Sequence, residues 1–134
     1  MLFRSIPAVL DRRVTSTWLV HGAGEPKKVI AHKLKGRIKT DWLRHLVAWA
    51  SARLIAVESL RPENWLWRIS PRKLVFINAK DDEALPLTSV EALHRSASKP
   101  YEVIWTKGQH INTNRAEVVQ GLVDLIMDRV LTTR

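Results

Sequence analysis

The chain has 134 residues, no cysteine, a formal net charge of +9 and a mean hydropathy of −0.15. That length suits one domain with a single core, and the lack of cysteine excludes a disulfide framework or a thiolate metal site. No stretch approaches the ~20 apolar residues of a membrane span, and MLFRSIPAVL lacks the long apolar core of a signal peptide, so the expectation is a soluble, cytoplasmic protein without a membrane partner.

Taken in order, residues 2–10 are interrupted by Pro7, which fits a first helical turn and would damage a helix interior. Residues 15–20, TSTWLV, read as a short strand that runs into the turn His21-Gly22-Ala23-Gly24. Pro26 suits the first position of a helix to about Leu34, and Gly36 stops it. Thr40 or Asp41 caps a longer helix to about Val57. Its Trp42, Leu43, Leu46, Trp49, Ala50, Leu54 and Val57 recur at three and four residues and form one stripe, the kind that usually faces a core. Ser70-Pro71 ends any helix ahead of it, since the residue before a proline avoids the helical region. Residues 73–79 hold the apolar run Leu74, Val75, Phe76 and Ile77, as expected for a strand covered on both faces, and the acidic turn Asp81-Asp82-Glu83 follows. Thr88-Ser89-Val90-Glu91 has the spacing of a capping box, which predicts a helix from there to about Ser98. A third strand at 101–106 leads into Gly108-Gln109-His110, and Asn114 caps a last helix with Val118, Val119, Leu122, Val123, Leu125, Ile126 and Val130 as its apolar face.

The predicted fold class is α/β, with about three parallel strands flanked by helices. In such sheets ligands gather at the carboxyl ends of the strands, so the acidic turn after one strand and His110 after its neighbour fall at one rim.

Asn78-Ala79-Lys80-Asp81-Asp82-Glu83-Ala84-Leu85-Pro86 resembles the acid turn of the α/β-hydrolase family, in which a strand ends in a small residue, then two residues, the catalytic Asp, three residues and Pro. That register selects Asp82, with Asp81 and Glu83 as understudies, and Ala79 stands where the family usually has Gly. Gly108-Gln109-His110 resembles the family's histidine loop and selects His110. The resemblance implies a partial α/β-hydrolase fold over 1–134, with a cap-like helical segment at about 26–69 and a short helix at 61–65 like that of dienelactone-hydrolase-like members. It also implies an esterase acting on a small-molecule carboxylic ester, with Asp82 as the acid that orients His110 and no cofactor.

The family's nucleophile lies on a G-x-S-x-G elbow, and no such motif occurs in this sequence. The resemblance therefore covers the C-terminal half of a hydrolase, and a truncated form is expected, in which 8–14 end the helix after the elbow and 15–20 form the sixth strand. With the nucleophile strand's partner edge open, the expectation is a homodimer or higher oligomer through the 15–20 edge or the 40–57 helix. His21-Gly22-Ala23-Gly24 could alternatively serve as an oxyanion loop, although the turn after the sixth strand suits its place better. His21, His32, His45 and His94 show no metal-ligand spacing, so no metal is expected. The alternative function is a non-catalytic oligomeric binding module that turns the basic face of Lys27, Lys28, Lys33, Lys35, Arg37 and Lys39 to an anionic partner. No aromatic stacking set accompanies those charges, which argues against nucleic acid.

Overall fold

At the centre of a three-stranded parallel sheet lies β2 (Lys73–Ala79), paired with β1 (Ser16–Val20) on one side and β3 (Glu102–Thr106) on the other, in a computed structural model that describes residues 5–54, 61–108, 110 and 116–132. Leu74 to Ala79 are all buried, which is why the central strand is a continuous apolar run while its two neighbours are only half covered. Ser16 registers with Lys73 and Val20 with Ile77; Val75 registers with Glu102 and Ala79 with Thr106. All three strands therefore finish at the same rim.

Helices precede and connect the strands: α1 (Ser5–Leu10), α2 (Pro26–Leu34), α3 (Asp41–Leu54), α4 (Leu87–Arg95) and α5 (Ala116–Thr132), with two 3-10 turns at Pro62–Asn64 and Leu66–Arg68. Leu66, Ile69, Leu74, Phe76 and Leu93 form the core, with Val9, Leu19, Ala97, Tyr101 and Val103 packed against it. The second 3-10 turn thus enters the core through Leu66 and the residue that ends it, Ile69, while Trp67 on the same segment stays exposed. A fully buried side chain of this size contributes about 1.5–3 kcal/mol.

Several elements differ from the sequence expectation. The capping box does not form: Pro86, with φ −59°, occupies the N-cap position, so α4 begins at Leu87 and makes no side-chain cap bond. The pyrrolidine ring fixes the entry angle two residues ahead of Thr88, which places Thr88 to Glu91 inside the helix. The same helix stops at Arg95, short of Ser98. The Trp stripe on α3 is not core: Trp42 is 68% exposed, Trp49 51% and Leu46 50%, whereas Ala48 on the same helix is buried. The proposed end of α3 at Val57 and the Asn114 cap lie outside the described residues. On α5 no residue is buried, and Val119, Val123, Met127, Val130 and Leu131 are exposed.

Two polar arrangements fix the loops around the sheet. Arg72, just before β2, donates from Nη1 to the carbonyls of Ala8, Asp11 and Val14 at 2.6, 3.1 and 3.0 Å, and so ties the segment between α1 and β1 to the start of the central strand. At the other end of β2 the buried Asn78 donates Nδ2 to the Gly22 carbonyl at 3.0 Å and accepts from His94 Nε2 at 3.2 Å. The His94 ring lies 4.6 Å from Phe76 and 5.7 Å from Trp105, centroid to centroid. Burial holds the imidazole below its usual pKa, with Glu91 opposing the shift weakly. The folded state thus favours neutral His94, a contribution fully present above the ordinary histidine range and lost as pH falls through it.

Arg72→Met should lower stability by about 2–3 kcal/mol, because one cationic donor satisfies three carbonyls that would otherwise compete for none. Urea denaturation should register this as a lower midpoint with an unchanged slope.

Candidate functional site

The rim where the strands end is built by three turns. After β2 the chain reverses through residues 80–86, and Asp82 folds its Oδ1 back onto the backbone N–H groups of Ala84 and Leu85 at 2.9 and 3.1 Å. This is an Asx-type turn, which a short carboxylate makes readily and which fixes the rotamer of the acid. From α2, His32 Nε2 donates to the Glu83 carbonyl at 2.9 Å and pins the same turn from outside. Asp81 and Glu83 are exposed, whereas the Asp82 side chain is only 4% exposed. Of the three acids in the turn, Asp82 is the one directed inward.

After β3 the chain turns at Gly108, whose φ of +104° lies in a region that a side chain at that position would strain. The turn brings His110 back over the rim. Its Nδ1 lies 2.7 Å from Asp82 Oδ2, and its side chain is 31% exposed. The two residues singled out from the sequence are therefore hydrogen-bond partners.

A third residue joins them. His21, the first residue past β1, has φ 48°, an uncommon left-handed conformation for a residue with a side chain, and its N–H donates to the Ile77 carbonyl at 2.7 Å. That backbone turns the imidazole into the rim, where Nδ1 lies 3.1 Å from the same Asp82 Oδ2 and the side chain is buried. The rings of His21 and His110 meet edge to face at 5.2 Å. Glu25, also left-handed with φ 49°, anchors the far side of the turn: its N–H donates to Glu63 Oε1, and Gly24 N–H donates to the Ser89 carbonyl at 2.8 Å. A side chain at Gly24 would come within 2.7 Å of Glu63 Oε1. Any larger residue there would require the Glu63 side chain to shift.

Sequence reasoning placed His21 in a turn without tying it to the acid. The signal was present: the rule that sends His110 to the end of one neighbour of β2 sends His21 to the end of the other, opposite Asn78 in the extended register. His32, His45 and His94 do not reach the cluster; His32 holds the acid turn, His94 holds Asn78, and His45 is exposed on α3.

The electrostatics of the carboxylate follow from its neighbours. Burial pushes the Asp82 carboxyl up, but hydrogen bonds from His110, from His21 and from the Ala84 N–H outweigh it, and the net effect holds the group below the ordinary carboxylate value. Asp82 is therefore ionised and acceptor-only near neutral pH. An imidazole that donates its Nδ1–H to such an acid presents a lone pair on Nε2, as a general base requires.

No family model matches the sequence, and no curated protein matches it. Among solved structures the chain is similar to the alpha/beta hydrolase GrgF from Penicillium sp. sh18, with a TM-score of 0.57 and 16% identity over 95% of this chain and 57% of that one. The fold is α/β-hydrolase-like. At this identity the likeness concerns the path of the backbone, and this chain spans little more than half the length of that hydrolase. Within the α/β-hydrolase-like fold, the rim carrying Asp82 and His110 is the carboxyl edge of the sheet, the edge at which α/β proteins bind ligands. Among the described residues no helix is long and apolar enough to cross a membrane.

The depressed pKa of Asp82 gives a stability prediction whose sign is fixed. A carboxylate with a folded pKa below its unfolded value, about 3.9, stabilises the fold above that value and ceases to do so as pH falls through the folded pKa. Thermal melts below about pH 4 should therefore show the wild type losing stability with acid more steeply than Asp82→Asn, with the two slopes converging near neutrality.

Proposed function

We propose that the protein is a carboxylic-ester hydrolase of the α/β-hydrolase type in which Asp82 and His110 act as acid and base. The observation that carries this reading is the 2.7 Å bond between His110 Nδ1 and a carboxylate that is buried, ionised and already fixed by two backbone N–H groups. The Asp holds the imidazole with Nε2 bare and stabilises the imidazolium formed when that nitrogen accepts a proton. No G-x-S-x-G elbow occurs in the sequence, so the reading takes water as the nucleophile. His110 Nε2 removes a proton as the water oxygen adds to the ester carbonyl. The same proton passes to the departing alkoxide as the C–O bond breaks, so the imidazole ends neutral. The hydrolase likeness of the backbone supports the same assignment.

Turnover of p-nitrophenyl acetate tests the proposal. His110→Ala should reduce the rate by about 100-fold or more while circular dichroism remains unchanged, and Asp82→Asn should reduce it in the same direction. Equal rates in wild type and His110→Ala would overturn the assignment. Turnover no greater than buffer in wild type, with binding to polyanions that weakens steeply with salt, would favour a binding module that uses the exposed basic face of Lys27, Lys28, Lys33, Lys35, Arg37 and Lys39.

We also propose self-association. Trp42, Leu46 and Trp49 lie on one side of α3 and are exposed, and β1 has no partner on its outer edge among the described residues. Apolar surface and open strand edges of this kind are covered by pairing between chains. Sedimentation should give a dimer or larger species, and Trp42→Glu with Trp49→Glu should shift it to the monomer. A wild-type monomer at high concentration would exclude the association.

A further inference from the structure

The acid–base reaction uses one imidazole, yet two converge on Asp82. His21 is buried, is held in a left-handed backbone, and has no part in the proton transfers described above. One ring nitrogen of His21, one of His110 and a carboxylate oxygen of Asp82 all lie within 4.8 Å of one another, and in both rings Nδ1 is the nitrogen that faces Asp82 Oδ2. Two imidazoles and one carboxylate are the ligand set of one class of catalytic zinc site, which keeps a further position open.

We propose that His21, Asp82 and His110 form a binding site for one divalent transition-metal ion of the zinc class. The inference goes beyond the ester-hydrolase reading, which requires no metal, and stands on the convergence of His21 rather than on the activity. Tetrahedral ligands at 2.0–2.1 Å lie about 3.3 Å apart. The observed nitrogen-to-oxygen separations are 3.1 Å from His21 and 2.7 Å from His110, so a metal needs the cluster to open by roughly 0.2–0.6 Å. The buried side of the site is fixed, since Asp82 is tied through Oδ1 and His21 through its backbone, while His110 stands on the solvent side with its side chain 31% exposed. The backbone bonds to Oδ1 are the outer-shell support that orients a ligating carboxylate and leaves Oδ2 to face the ion. On metal binding each imidazole moves its proton from Nδ1 to Nε2 and presents the Nδ1 lone pair. Both rings remain neutral, and no proton has to leave.

The test uses the whole chain, stripped with chelator and desalted, titrated with Zn2+ by calorimetry and with Co2+ by visible absorption, and assayed for bound metal after gel filtration. One Zn2+ per chain is expected, together with the visible bands of low-coordinate Co2+. His21→Asn, which tolerates the left-handed backbone, and His110→Gln, at a half-exposed position, should each weaken Zn2+ by more than about 100-fold, the upper end of what loss of an outer-shell partner costs. His45→Ala on α3 should bind as the wild type does. Should His21→Asn fail to fold, His110→Gln decides. No saturable uptake, or uptake that neither variant weakens, overturns the site. Ester turnover measured on the metal-free protein separates the two proposals: turnover without zinc uptake leaves the acid–histidine reading standing and removes the metal site, whereas stoichiometric uptake without turnover does the reverse.

Discussion

The carboxylate of Asp82 is the constraint on which the rim depends. An ionised acid removed from water costs several kcal/mol unless its oxygens are fully hydrogen-bonded, and here the donors come from three separate turns. The turn after β2 satisfies Oδ1 with Ala84 and Leu85, while the ends of β1 and β3 satisfy Oδ2 through His21 and His110. The three strand ends are thereby joined through one functional group. Disturbing any of the three turns leaves a buried charge short of a partner, so the geometry of the site and the stability of the rim are coupled.

The turn from His21 to Glu25 shows how such a site is maintained. Two non-glycine residues in left-handed conformations within five positions are unfavourable locally, by about 1–3 kcal/mol each, and persist when surrounding contacts over-determine them. The contacts here are to β2 through Ile77, to Asn78 through the Gly22 carbonyl, to α4 through Ser89 and to the 3-10 segment through Glu63. Asn78 is linked in turn to His94, so the buried polar chain extends from the strand end into α4. Backbone strain at the rim is offset by the elements beneath it.

The sheet was legible in the sequence because its determinants are local. Lys73 to Ala79 is both the predicted and the observed central strand, since an uninterrupted run of Leu, Val, Phe and Ile can be covered on two faces and nowhere else in so small a protein. Asp82 was singled out from Asp81 and Glu83 by the resemblance of 78–86 to the hydrolase acid turn, and it is the acid of the three whose carboxylate turns inward. His21 was missed because the strand-end rule was applied to the β2–β3 pairing alone, whereas His21 reaches the acid through β1 pairing with β2 across a long intervening segment. The α3 stripe was misread for the opposite reason. Period alone shows that Trp42, Leu46 and Trp49 share a face, but what covers that face depends on tertiary neighbours, and among the described residues they leave it exposed. At Thr88 a capping signature yielded to the proline two residues before it.

The register of the strands also sets how much chain entropy each pairing costs. β2 and β3 are joined from residue 75 to 102, whereas β1 and β2 are joined from 16 to 73, a loop about twice as long. Closing the longer loop costs about 0.6 kcal/mol more in chain entropy, before the α2–α3 excursion within it is ordered. The β2–α4–β3 unit is therefore the cheaper pairing to close, and the strand carrying His21 bears the larger entropic cost. The contact of the second imidazole with Asp82 thus requires both strand pairings at once, which makes it a reporter of the completed sheet.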